Sequence, residues 1–220
     1  LKRGDEYGDL MPVWRWEHLP GALYSKGITG AVKNTLGGSL VLNGMSLSAM
    51  RTGFRGPSGE TTFERYFFTI DNWLLSVISP IRNPPNLSTY VSLDQCRYRG
   101  SFRYKQAQRG TLVENGLAVH KQKGIQKVKH NDIVYRGGKN TQLEAFAQSQ
   151  SGNWNQINAQ YNTTRVSEEV FSIRCRIKDP SRPSFYWIRM SGADNATDTL
   201  TGLKIRYIGN DGIVVQARNT

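Results

Sequence analysis

The sequence predicts an all-β fold: a β-sandwich of eight to ten short strands with one or two short helices. Three observations carry this. Phe171-Ser172-Ile173-Arg174-Cys175-Arg176-Ile177-Lys178 alternates apolar and polar residues without a fault, the period at which strand side chains change faces. Leu203-Lys204-Ile205-Arg206-Tyr207 alternates again, and Gly209-Asn210-Asp211-Gly212 then signals a hairpin turn before Ile213-Val214-Val215. Finally, 22 glycines in 220 residues punctuate short apolar pieces rather than long helical ones. A chain of this length can bury a substantial core without staples. The organisation expected is an extended N-terminal arm over 1–20 and a single β-sandwich domain over 21–220.

Residues 1–20 mix charges, glycines and two prolines with Trp14 and Trp16. That composition fits an arm that docks on a neighbouring subunit or on the body of the fold, or a packed terminal strand. Residues 21–59 are broken by glycines that match no phosphate-binding or dinucleotide-binding pattern, so they read as turns and bulges. Phe63 and Tyr66 to Ile70 suit a strand. Asp71 is placed to cap a short helix or turn through Trp73, Leu74 and Val77, ended by Pro80. Thr89 to Leu93 is a further strand. Asn140 to Gln150 is the best helical candidate, because Leu143, Phe146 and Ala147 fall on one helical face. Residues 148–164, rich in Gln, Asn and Ser around Trp154, read as a long surface loop. Phe185 to Met190 is a strand.

Charge singles out one stretch. Between Cys96 and Lys139 stand eleven Lys and Arg against Glu114 and Asp132, a net of 11 − 2 = +9 out of +12 for the whole chain. Such a field calls for a polyanion or a great deal of solvent. In Cys96-Arg97-Tyr98-Arg99 and Phe102-Arg103-Tyr104-Lys105 the apolar and basic residues alternate. If Gly100-Ser101 keeps the phase, Cys96, Tyr98, Phe102 and Tyr104 share one face, and Arg97, Arg99, Arg103 and Lys105 line the other. The plain alternative is a half-buried strand with a solvated basic face. Arg109, Lys121, Lys123, Lys127, Lys129 and Arg136 extend the basic set, and Arg174 and Arg176 repeat the pattern, with Lys178, Lys204 and Arg206 behind them. Guanidinium groups grip phosphate oxygens bidentately and lysine adds a point charge.

Catalytic chemistry is sparse. No carboxylate is followed two positions later by lysine, no G-x-S-x-G occurs, and the acids are scattered. His120 and His130 lie in the basic region. They allow a metal-independent nuclease reading, one histidine as base and one as acid, or are simply surface histidines. Cys96 and Cys175 read either as an inter-strand disulfide or as two buried thiols, the latter being favoured. Neither has a ligand at metal spacing, and neither a metal nor a cofactor is expected. No run of 18 apolar residues and no signal-peptide pattern is visible, so no membrane partner is expected. The chain begins at Leu1 rather than Met.

In its all-β character, length, positive strand faces, aromatic arm and polar loops, the chain resembles the single jelly-roll coat (capsid) proteins of small viruses, including those with single-stranded DNA genomes. The resemblance implies a jelly-roll sandwich of two four-stranded sheets and a non-enzymatic, self-assembling homo-oligomer in a virion. It also implies a basic surface facing nucleic acid, with Tyr98, Phe102 or Tyr104 stacking on unpaired bases where exposed. Two alternatives stand beside it: a β-sandwich module that binds an anionic glycan or a protein, served by Trp154, Trp187 and the polar loops, and the nuclease built on His120 and His130.

Overall fold

The computed structural model describes residues 7–25, 32–56, 59–84, 88–106, 112–115, 120–190, 204–208 and 212–216. For 32, 34, 56, 105–106, 112–115, 120–124, 190 and the last two segments it describes the backbone alone. Contacts divide the chain into two units, Leu1–Met190 and Ser191–Thr220.

Among its described residues the first unit holds thirteen strands in one antiparallel sheet. They are β1 (Leu23–Ser25), β2 (Val32–Leu42), β3 (Met45–Gly56), β4 (Gly59–Ile70), β5 (Trp73–Ile78), β6 (Thr89–Arg97), β7 (Phe102–Gln106), β8 (Leu112–Asn115), β9 (His120–His130), β10 (Ile133–Gly137), β11 (Thr141–Gly152), β12 (Val166–Ile177) and β13 (Ser184–Met190). The strand order is β1-β6-β12-β11-β9-β10-β13-β5-β4-β3-β2, with the β7–β8 hairpin joined through β9. The second unit contains the hairpin β14 (Lys204–Ile208) and β15 (Gly212–Gln216), paired Lys204↔Gln216 through Ile208↔Gly212. The fold is thus all-β, antiparallel and sandwich-like. One continuous sheet wraps a core, in place of the two four-stranded sheets implied by the coat-protein resemblance.

Local chemistry explains the strand ends. Asn43-Gly44 carries φ of +49° and +76° between β2 and β3, the left-handed pair that a tight hairpin turn requires. Asp71 (φ +51°) turns β4 into β5, and Asn131 (φ +52°) turns β9 into β10. The short helix or turn expected through Trp73, Leu74 and Val77 is therefore the hairpin partner β5, with the turn at Asp71 itself. The helix expected over 140–150 is also a strand. Leu143, Ala145 and Ala147 are buried at period two, and β11 pairs with β12 in an unbroken ladder from Thr141↔Ile177 to Gly152↔Val166. Tertiary pairing overrides the helix propensity of Leu, Glu and Ala. The helical elements described are single 3-10 turns at Met11–Val13, Trp16–His18 and Trp154–Gln156.

The core is aromatic. Phe171 of β12 lies with its ring centroid 4.0 Å from His130, 5.5 Å from Phe102 and 6.4 Å from Tyr135. Cys96, Tyr98, Phe102 and Tyr104 are all buried in the same cluster. The inward face of the alternating stretch is as expected, and burial removes these rings as stacking platforms for bases. Cys96 and Cys175 are both free and buried, and burial pushes the Cys175 thiol up to about 12. The Asp94 carboxylate is buried too, and accepts hydrogen bonds from the Tyr135 and Tyr7 hydroxyls.

Residues 7–22 run over the sheet. Leu10 and Val13 are buried against Val170. The buried Gln95 side chain makes a reciprocal pair with Arg15: its Oε1 accepts from the Arg15 amide at 3.0 Å and its Nε2 donates to the Arg15 carbonyl at 3.3 Å. Ser92 Oγ donates to the His18 carbonyl at 2.6 Å. The arm is docked on the body of its own fold. Arg65, buried on β4, donates to the Gly21 carbonyl, to the Tyr186 hydroxyl and to Ser76 Oγ, tying the end of the arm to β13 and β5.

Candidate polyanion-binding face

Register decides which basic side chains meet. Residues directly opposite in an antiparallel ladder share a face. Across β7, β9, β10, β13 and β5 one row reads Arg103↔Lys129↔Val134↔Arg189↔Trp73. The next reads Lys105↔Lys127↔Arg136↔Trp187↔Leu75. Two rows of one sheet face therefore combine cations from four strands with two tryptophans. Arg103 is exposed, whereas Lys127, Lys129, Arg136, Trp73 and Trp187 are half-buried. The Arg189 guanidinium lies 5.2 Å from the centre of the Trp73 ring. Trp187 is stacked on Phe185, two residues along β13, at 5.8 Å and 11°. Trp187 Nε1 and Arg136 Nε are buried with no hydrogen-bond partner.

The remaining basic candidates divide. Arg97 on β6 is spent on Glu168, both contacts at 3.0 Å, a partly exposed pair worth about 1 kcal/mol or less. Arg99 is exposed just after β6. Arg174 on β12 is held by Glu144 at 2.6 and 2.8 Å and stacks over Tyr90 at 4.2 Å and Phe146 at 4.8 Å, so it builds structure. Arg176, next along the same face of β12, is exposed. Lys121 and Lys123 lie on β9 and Lys105 on β7, with side chains outside those described, and Arg109 lies outside the described residues altogether. Lys204 and Arg206 belong to the separate β14–β15 sheet. The surface is thus centred on β9, β10 and β13. Trp187 was a sequence candidate for a glycan-binding reading. Trp73 and Arg189 were not singled out, because only the β13–β5 register places them with the basic residues.

The histidine pair does not assemble. His120 and His130 sit at opposite ends of the eleven-residue β9, about 33 Å apart at strand rise. His130 is not a surface residue. It is fully buried, stacked on Phe171 and on Tyr98 at 5.9 Å, with Nδ1 4.0 Å from Cys96 Sγ. A nuclease acid–base pair needs both groups on one substrate, and this geometry denies it. Among the described residues no group of three or more His, Cys, Asp or Glu could hold a metal ion, and no helix is long and apolar enough to cross a membrane.

A second aromatic cluster lies at the end of the arm. His18 stacks on Tyr24 at 4.2 Å and Tyr24 on Tyr90 at 5.6 Å, while Arg174 donates to the Tyr24 hydroxyl at 3.3 Å. Burial, with the Arg15 and Arg174 charges, holds His18 below its ordinary 6.5, against the opposing pull of Glu17. The folded chain resists protonating His18, whereas the unfolded chain takes the proton near 6.5. The stability linked to this group is therefore whole above pH 6.5 and is lost as the pH falls through 6.5 toward the lowered folded value. Thermal melting followed across that window should show a downward limb that His18→Phe, which keeps the ring stack, flattens. An unchanged limb in the variant would assign the pH dependence to other groups.

Comparison with known proteins redirects the functional reading. Residues 1–199 match the family described as polysaccharide lyase family 8, super-sandwich domain. The chain is 26% identical over 179 residues to chondroitinase-AC of Pedobacter heparinus, covering 78% of this chain and 25% of that protein. Its fold is shared with a chondroitinase AC lyase studied in enzyme–oligosaccharide complexes, at a TM-score of 0.71 and 20% identity over 93% of this chain and 31% of the other. It is also shared with a Paenibacillus xanthan lyase, at 0.71 and 14% identity over 90% and 21%. A chondroitin AC lyase of Streptomyces coelicolor A3, in complex with chondroitin sulphate, gives 0.61 and 14% over 92% and 27%. The chain spans about a quarter of the length of the curated relative.

These findings overturn the coat-protein resemblance, and with it the virion, the nucleic-acid partner and the non-enzymatic assignment, because the matched proteins are lyases, which are enzymes. The physical reason for the misreading is plain: Arg and Lys pair with a sugar carboxylate or sulfate by the same chemistry as with a phosphate, so charge and alternation cannot tell the polymers apart. Of the readings open to the sequence, the glycan-binding one fits best. The chain belongs to polysaccharide lyase family 8.

Proposed function

We propose that this chain is the sandwich portion of a polysaccharide lyase and that it holds an acidic polysaccharide on its basic sheet face. The family match over residues 1–199 carries the reading. The charge of +9 between Cys96 and Lys139 supports an acidic rather than a neutral polymer. A lyase breaks its bond by elimination, in which a proton leaves carbon and a double bond forms. Where that carbon adjoins a carboxylate, cations that neutralise the carboxylate favour loss of the proton. Lys127, Lys129, Arg103 and Arg136 are the residues of this chain suited to hold such anionic groups.

The test is calorimetric titration of the chain with chondroitin sulphate, xanthan and uncharged dextran at low and raised salt. New ultraviolet absorbance of a carbon–carbon double bond is followed in the same mixtures. Binding to an acidic polymer that weakens with salt, with dextran inert, is expected. Equal binding to dextran, or none to either acidic polymer, would overturn the reading.

A further inference from the structure

We infer that Arg136 and Trp187, directly opposite one another on β10 and β13, form a subsite for one acidic sugar residue, with Lys127 beside them on β9. In it, the indole takes the apolar face of the ring and the guanidinium takes its carboxylate or sulfate. This inference rests on the polysaccharide reading and adds to it a location and two roles.

Four observations carry it. First, the register Lys127↔Arg136↔Trp187 puts the three side chains in one row on one face. One inter-strand step of about 4.8 Å separates Arg136 from Trp187, the scale of a single sugar ring, and a second step reaches Lys127. Second, no hydrogen bond or ion pair joins Arg136 to a described residue, and its Nε is buried without a partner. This contrasts with Arg97 on Glu168 and Arg174 on Glu144. Burial alone pushes the Arg136 guanidinium below its ordinary value, with no carboxylate opposing it. A half-buried cation left without an acid is costly unless an anion arrives. Third, Trp187 is held flat against Phe185, so the ring is fixed in orientation before any ligand binds and loses little freedom on stacking. Fourth, the neighbouring row places the half-buried Lys129 and Trp73 along the same face, with the buried Arg189 guanidinium against the Trp73 ring, so Lys129 gives a linear polyanion a second point of contact.

The experiment is calorimetric titration of the full chain with chondroitin sulphate at fixed salt, comparing Arg136→Gln, Trp187→Leu and, as a charge-matched control, Arg55→Gln. Arg55 is exposed on β3, remote along the sheet order. Arg136→Gln and Trp187→Leu should each weaken binding about tenfold, while Arg55→Gln stays within about twofold, as expected for loss of a screened surface charge. Arg136→Lys and Trp187→Phe disturb packing least. If the larger changes unfold the chain, Arg136→Lys decides the matter: it keeps the charge but loses the planar fork, so it should weaken binding about fivefold, and a loss no greater than that of Arg55→Gln would overturn the subsite. If the wild-type chain binds and the Arg136 and Trp187 variants behave like Arg55→Gln, the subsite is wrong and the polysaccharide reading stands. If the wild-type chain binds no acidic polysaccharide, the reading under Proposed function falls, and this subsite falls with it.

Discussion

Phe171→Ala should cost about 3–5 kcal/mol of folding stability, the largest effect expected of any single side-chain truncation in the core. Phe171 is fully buried on β12 and meets rings contributed by three other elements: Phe102 from β7, His130 from β9 and Tyr135 from β10. Few neighbours can move into the space, because each is itself a ring held by its strand, so the cavity term adds to the lost burial. The loss would take a large share of the roughly 5–15 kcal/mol that a domain has in total. Urea unfolding of the chain measures it. Phe171→Leu, closer in volume, should cost about 1–2 kcal/mol. A cost for the alanine variant no greater than for leucine would mean that the rings do not meet as described.

Gly152→Ala should release the arm. A Cβ at this position would lie 1.7 Å from the Pro12 carbonyl oxygen and 2.8 Å from its carbon. The obstructing atoms are backbone, so no side chain can rotate away. Relief requires Met11–Val13 to lift, and with it Leu10 and Val13 leave Val170. The expected cost is about 3 kcal/mol, from overpacking and lost burial together. The more telling readout is local. The Arg15 amide, donated to Gln95 in the folded chain, should lose its protection from hydrogen exchange, while amides of the β11–β12 ladder keep theirs. Uniform loss across both would show that the arm and the sheet unfold as one unit.

The strands were readable wherever apolar and polar residues alternate. Phe171, Ile173, Cys175 and Ile177 are buried with exposed or half-buried residues between them, and Cys96, Tyr98, Phe102 and Tyr104 turn inward as expected. Asn140–Gln150 was misread because Leu143, Phe146 and Ala147 fit a helical face as well as Leu143, Ala145 and Ala147 fit a strand. Only the ladder to β12 decides between them. His130 was misread as a surface residue because lysines surround it in sequence, although Val128 and His130 keep the inward phase of β9. The electrostatic character of the face was legible; its composition was not. Arg136 and Trp187 are far apart along the chain and meet only through the β10–β13 register, and the positive field says nothing of whether the anion is a phosphodiester or a sugar acid.

The position of β13 has a consequence in time. Among the described strands it is the one that joins two blocks in the strand order: β1, β6, β12, β11, β9 and β10 on one side, and β5, β4, β3 and β2 on the other. It is also the last strand of its unit along the chain. As a ribosome delivers the polypeptide, the β2–β5 meander and the block ending at β10 can each form early, but both wait with an open edge until residues 184–190 emerge. During that interval β5 and β10 offer unpaired backbone and apolar side chains to any passing strand. Synthesis of this fold is therefore most exposed to misassembly in the interval between the emergence of β12 and that of β13.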